Sequence, residues 1–208
     1  FFGRANYTYN DRFILNGSLR SDGSSRFGQD NKWGVFPALS VAWVMTNESF
    51  MDGVDLLTDL KLRASWGETG NEAIGNFQFL GLYGTSNYGE IAGTAPSNLP
   101  NPQLKWETTT EWNVGIDASL FSDRIGLGLD FYKKETDDLL LNRPVTSTSG
   151  FTSVLANVGS VENRGWEAVV RTVNVRGGGP RSLEWTTDLT LSHNENEVTR
   201  LYSSDPEK

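Results

Sequence analysis

The chain has no cysteine, a single histidine and no unbroken hydrophobic run longer than five residues. Without cysteine there is no disulfide framework, no thiolate metal site and no cysteine nucleophile. One histidine excludes a histidine-rich metal centre, and any Ser-His-Asp relay would have to use His193. The longest apolar run, residues 41–45, falls far short of the roughly 20 residues of a helical membrane span. That limit does not touch membrane β-barrels, whose strands are only half apolar. Residues 1–10 lack the basic start and apolar stretch of a secretory signal. Basic charge is also short. The 18 Lys and Arg face 26 Asp and Glu, a formal charge of -8, so the phosphate-neutralising surface of a nucleic-acid binder is not expected.

What is present points to a folded β protein. The 208 residues are 37% hydrophobic and 12% aromatic, with 22 glycines and seven tryptophans. Disordered chains have far fewer apolar residues, and this length suits one domain or two small ones. The dominant signal is alternation. Over 104–120 the even positions read Leu104, Trp106, Thr108, Thr110, Trp112, Val114, Ile116, Ala118 and Leu120. The odd positions carry Lys105, Glu107, Glu111, Asn113, Gly115 and Asp117 among polar or small residues. Side chains on a strand change face at each residue, so this is a half-buried strand. The pattern recurs at 13–20, 60–67, 125–132 and 183–192, and more weakly at 1–9, 33–43 and 165–173. The fold class is therefore all-β, an antiparallel meander of about eight strands.

The predicted connections alternate in length. Residues 10–11, 121–124 and 176–182 make short turns, whereas 21–32, 68–103 and 137–160 make long polar loops. Residues 44–59 are the imperfect fit, longer than a hairpin, with Asn47 placed to cap one helical turn. Short turns on one edge and long loops on the other are the layout of an outer-membrane barrel. Trp33, Trp66, Trp106 and Trp166 fall toward the long-loop ends, and Trp43 and Trp185 toward the short-turn ends. Amphipathic rings favour both membrane interfaces. With the apolar face on lipid, Lys61, Arg63, Glu107, Glu111 and Asp130 line a wet lumen. The mixed charge of that lining fits an arc of a large transmembrane barrel better than a small closed one. A soluble carbohydrate-binding β-sandwich also alternates faces; it requires a second layer over the apolar residues, Trp112 and Ile116 among them.

Several stretches resemble the SusC/RagA-like family of TonB-linked (TonB-dependent) outer-membrane transporters. Residues 101–115 read NPQLKWETTTEWNVG, where the family pattern is NPxLKWETTxxxNxG. The blocks RSDGSSRFG at 20–28, WGVFPA at 33–38, LKLRASWG at 60–67, DLLL at 138–141 and NVGSVENRGWE at 157–167 follow the family order. The resemblance implies a barrel of 22 strands around an N-terminal plug. It implies import of glycans or peptides across the outer membrane of a Gram-negative bacterium, with energy from the TonB complex. A SusD-like surface lipoprotein would cap the barrel. The expected domain is then 1–208, part of the C-terminal half of the barrel, with plug and terminal strand outside it. The abrupt start at Phe1, already inside a strand, accords with a fragment. A siderophore- or cobalamin-type TonB receptor is the alternative of the same architecture, and the block around Trp106 argues against it.

No enzyme, cofactor or metal site is expected. His193 reads as an interfacial or loop residue. Asp137, Asp138 and the acids of 195–197 lack EF-hand spacing. Residues 177–179 lead into Pro180 with no P-loop lysine, so they read as a turn. Glu107 and Glu111 share a face as a glycosidase pair would, but lumen lining is the better reading. Tyr83, Asn87 and Tyr88 in the longest loop are the candidate ligand or lid contacts, because rings stack on sugars and amides bond hydroxyls. A folded, monodisperse 208-residue product made without detergent, seen by size-exclusion chromatography, would favour the sandwich over the barrel.

Overall fold

A strand forms at each of the eight predicted places, although residues 104–106 and 183–184 stay outside strands. A computed structural model describes residues 1–178 and 182–201, apart from the Tyr88 side chain. Its strands are β1 (Phe2–Tyr9), β2 (Phe13–Gly23), β3 (Trp33–Val44), β4 (Leu57–Asn71), β5 (Tyr83–Tyr88), β6 (Ile91–Pro96), β7 (Glu107–Leu120), β8 (Ile125–Asp137), β9 (Leu140–Pro144), β10 (Ser153–Asn157), β11 (Ser160–Val175) and β12 (Trp185–Arg200). Eight of them form one antiparallel sheet in the order β1-β2-β3-β4-β7-β8-β11-β12. The sheet is open, because β1 and β12 do not pair with each other. The remaining four form two separate hairpins, β5–β6 and β9–β10.

The predicted short turns at 10–11 and 121–124 hold. Asn10 and Asp11 sit at φ 49° and 53°, a left-handed pair that Asn and Asp tolerate and hairpin twist favours. Part of the turn at 176–182, including Gly179 and Pro180, lies outside the described residues. Two expectations need correction. Asn47 does not cap a helical turn; it ends the 3₁₀ turn Met45–Asn47, which has no side-chain cap. Its amide instead donates to the Asp11 carbonyl at 2.6 Å, tying this connection to the β1–β2 turn. The loops 68–103 and 137–160 are not structureless either, since each holds a hairpin.

No second layer covers the sheet among the described residues, which overturns the sandwich alternative. Trp112 and Val114 are each 57% exposed. The buried hydrophobic residues are Phe27, Phe36, Ile74 and Leu104, at the long-loop end. The outward face is a continuous apolar belt. One row of paired residues runs Tyr7, Leu15, Val41, Ala64, Val114, Phe131, Trp166 and His193 through all eight strands.

The belt runs obliquely to these rows. Trp43, near the short-turn edge of β3, is linked through register to Leu191 on β12. The short-turn tryptophan of β12 is Trp185, six residues further down. Six residues of slip over five strand pairings, at about 3.3 Å per residue and about 4.8 Å between strands, is a tilt of about 40°. Transmembrane barrels tilt their strands by about 35–45°. At that tilt the outward stretch from Trp112 to Leu120 rises about 20 Å, against an apolar band of about 25 Å in such barrels. Trp43 shows how the lower border is built. Its ring packs on Phe13 at 6.0 Å and Phe50 at 6.3 Å, while its indole N–H donates to Glu48 at 3.1 Å.

The two faces therefore differ in tolerance. In the intact barrel refolded into bilayers, Val114→Arg on the lipid side should cost about 2–4 kcal/mol in a denaturant titration. Asn113→Arg, one residue away on the lumen side, should cost well under half as much.

Candidate functional site: the inner wall and its loop rim

The inward face carries a ladder of paired charges. The Arg63 guanidinium on β4 donates to Asp117 on β7 at 2.8 Å and to Asp130 on β8 at 2.8 Å. Lys61 adds a second cation to Asp117 at 3.2 Å. Arg63, Gly115 and Asp130 stand side by side across three strands. A Cβ on Gly115 would lie 2.7 Å from Asp130 and 2.9 Å from the Arg63 guanidinium carbon. Glycine is therefore what lets Arg63 cross the middle strand. Lys134 pairs with Glu111 at 3.1 Å, and Arg171 with Asp188 on β12. The wall is polar but nearly neutral, and these half-exposed pairs each contribute about 0.5 kcal/mol or so. Its chemistry is wetting and positioning.

The rim at the long-loop end holds the buried core. Leu104 and Phe27 are fully buried there, packed with Ile74 and flanked by Phe79, Trp106, Leu140 and Leu155. Polar groups of the 101–107 segment tie three loops to this cluster. Lys105 N–H donates to the Asn157 side chain at 2.9 Å, and the Asn157 amide donates back to the Lys105 carbonyl at 2.8 Å. The Asn101 amide donates to the Leu155 carbonyl at 2.9 Å. The Trp106 indole donates to the Lys32 carbonyl at 3.2 Å. Glu107 accepts from Asn71 at 3.0 Å and from the Leu140 N–H at 3.1 Å. Pairing of β3 with β4 stops at Ala38 and Gly67, beside Pro37, which has no N–H to donate. The Phe36 ring fills the gap above, lying over Gly34 and Gly70 and edge-on to Trp106 at 5.4 Å.

The predicted contact residues lie on the β5–β6 hairpin. Tyr83 pairs with Pro96 and Asn87 with Ala92, and an even spacing on one strand puts both on one face. Tyr83 is 74% exposed. Tyr88 pairs through its backbone with Ile91, and its side chain lies outside the described residues. The hairpin base is fixed by Asn98, whose amide donates to the Leu80 carbonyl at 2.9 Å and whose oxygen accepts from the Leu82 N–H at 2.8 Å.

The other candidates have structural partners. His193 lies on β12 against Trp166 at 6.3 Å and near Glu195 at 3.4 Å. Glu107 holds the rim and Glu111 binds Lys134, so neither stands free as an acid or nucleophile. Asp137 accepts from Ser160, and Asp138 pairs with Lys105 at 2.6 Å. Among the described residues no group of His, Cys, Asp or Glu is placed to hold a metal. Sequence reasoning missed two things: the role of 101–107 as the rim's centre, and the crossing of Arg63 over Gly115. An inward glycine beside inward Arg and Asp on neighbouring strands was the available signal for the second.

Residues 1–206 match the model of the family described as TonB dependent receptor-like, beta-barrel. The chain is 43% identical over 205 residues to TonB-dependent receptor P39 of Formosa agariphila, covering 98% of this chain and 20% of that protein. It is 37% identical over 214 residues to TonB-dependent receptor SusC of Bacteroides thetaiotaomicron, covering 99% and 21%. The chain thus spans about a fifth of the relatives it matches. Among solved structures, the RagAB peptide importer in its closed-closed state superposes with a TM-score of 0.88 at 31% identity, over 98% of this chain and 22% of that one. The siderophore receptor PirA of Pseudomonas aeruginosa gives 0.57 at 18% identity over 93% and 33%, a likeness of fold alone.

The rim should loosen as one unit. Leu104→Ala removes a fully buried side chain, a change worth about 2–5 kcal/mol. Hydrogen exchange in the intact protein should quicken together in 24–32, 72–106 and 138–159, while the lower halves of the strands stay protected.

Proposed function

Because the chain belongs to the TonB dependent receptor-like β-barrel family, we propose that it forms part of the wall of an energised importer of oligomeric nutrients, glycans or peptides. The barrel lies in the outer membrane of a Gram-negative bacterium. Residues 1–208 are one stretch of that barrel domain, and the exposed edges of β1 and β12 take further strands of the same barrel. The wall performs no covalent step. Its outward face holds the bilayer, its inward ladder wets the passage, and its rim fixes the long loops on the outer side.

The observation that carries this reading is the match along almost the whole chain to a peptide importer and to SusC. The siderophore reading has a shared fold behind it and no more. A SusD-like surface lipoprotein would dock over the rim, and the TonB complex would act through parts of the protein beyond this chain. The β5–β6 hairpin is the element placed to touch ligand or lipoprotein, through Tyr83, Asn87 and Tyr88. An isolated two-stranded ribbon exposed on its faces is marginal by itself, which accords with cover from a partner.

The test uses the full-length receptor with its lipoprotein. Tyr83→Ala, Asn87→Ala and Tyr88→Ala together should weaken binding of the imported oligosaccharide or peptide roughly tenfold, the scale of a lost aromatic contact. Calorimetry with glycan and peptide panels separates the two ligand classes; unchanged affinity in the triple variant would remove the hairpin from the binding site. Selective binding of a ferric siderophore instead would overturn the importer class.

A further inference from the structure

Above the lipid-facing belt, the outward side of β8, β11 and β12 changes in a fixed order. On β8 the outward positions run Phe131, Lys133, Glu135 toward the long-loop rim, and on β11 they run Trp166, Arg164, Glu162. Register pairs Phe131 with Trp166, Lys133 with Arg164, and Glu135 with Glu162. On β12, Glu197 pairs with Glu162. Across β8, β11 and β12 the rungs thus read Phe131–Trp166–His193, then Lys133–Arg164–Glu195 with two adjacent cations beside one carboxylate, then Glu135–Glu162–Glu197 with three adjacent carboxylates. Each rung adds two residues, about 6.6 Å along the strand and about 5 Å in height at the belt's tilt.

Like charges directly opposite one another repel, and the internal pairs relieve only part of this. Lys133 reaches Glu162 at 3.0 Å. Arg164 reaches Glu195 at 2.9 Å. Glu135 has no hydrogen bond or ion pair among the described residues, and Glu197 stands on β12, whose far edge is open to the next strand of the barrel. Lys133 and Arg164 keep about half of their side chains exposed, 51% and 59%.

We propose that this patch is a binding surface for lipid-borne phosphoethanolamine, with the phosphate on Lys133 and Arg164 and the ammonium on the carboxylate row. The proposal rests on the outer-membrane barrel reading and goes beyond it. Three features select the occupant. The patch continues the lipid-facing belt upward, so headgroups are what it meets. The order of charge, cations nearest the belt and carboxylates beyond, complements a headgroup whose phosphate lies next to the acyl region and whose ammonium lies outside it. The carboxylates outnumber the cations, so a purely anionic headgroup is repelled.

The test is native mass spectrometry of the delipidated full-length receptor, offered phosphatidylethanolamine and phosphatidylglycerol with the same acyl chains. The unaltered receptor should retain phosphatidylethanolamine several-fold better. Lys133→Gln with Arg164→Gln should lower that retention by roughly fivefold for each cation removed. Glu135→Lys with Glu197→Lys should reverse the preference toward phosphatidylglycerol. A heat-modifiable gel shift confirms that each variant is a folded barrel. Equal retention of the two lipids, a preference for phosphatidylglycerol, or indifference to both double substitutions overturns the proposal and leaves the barrel reading standing. A folded receptor that retains no lipid of either kind likewise overturns the proposal and leaves the barrel reading standing.

Discussion

In hydrocarbon every backbone N–H and C=O must find a partner inside the protein, and the rest of this structure depends on that constraint. It makes the membrane-facing element a sheet whose interior strands are paired on both sides. It then assigns the side chains, because a paired strand has only two faces and one of them must be apolar. The row from Tyr7 to His193 is that assignment carried across eight strands. The tilt follows as well. A band held level with a membrane must slip along tilted strands, and the six-residue offset between Leu191 and Trp185 is that slip.

A consequence is that the usual arrangement of stability is inverted. A soluble sheet buries its apolar face under a second layer and leaves its loops loose. Here the apolar face stays on the surface, and the buried side chains gather where three long loops meet around Leu104 and Phe27. Loops cannot draw on lipid, so they need a small core of their own. The 101–107 segment supplies it by placing one leucine and one tryptophan inward while Asn101 and Lys105 bond β10 and Glu107 bonds both Leu140 and Asn71. A recognition surface on such a rim is held by packing rather than by loop entropy.

These two parts were unequally legible in the sequence. Alternation located all eight sheet strands, because period two is imposed by geometry at every residue of the belt. The hairpins were not visible, since β5 and β6 read YGTSNY and IAGTAP and neither carries a one-sided apolar stripe. Nothing presses one face of that ribbon against a core, so no pattern records it. The 101–115 block was legible as a family signature, while its mechanical role depends on Asn157 and Lys32, residues far from it in the chain. Contacts at such separations leave no local period. The candidate contacts Tyr83 and Asn87 were found by chemical type, and their shared face follows from period two once 83–88 is a strand, which a stretch polar on both faces does not announce.

Glycine joins the two parts. Inside strands it normally weakens packing, yet several of the 22 glycines of this chain lie within the sheet. A neighbouring strand covers some of them. Arg63 lies over Gly115, the Tyr132 ring over Gly165 and Phe36 over Gly70, while Phe36 also covers Gly34 within its own strand. A missing side chain on one strand becomes the seat for a long one from the next, so the inner wall gains lateral ties without thickening toward the lumen. The same device works in a polar setting at Gly115 and in an aromatic one at Gly70. A narrow passage bounded by a single layer of strands requires this economy: bulk added inward narrows the lumen, and bulk added outward has only lipid to meet. Cross-strand seats on glycine are the remaining direction in which the wall can be strengthened.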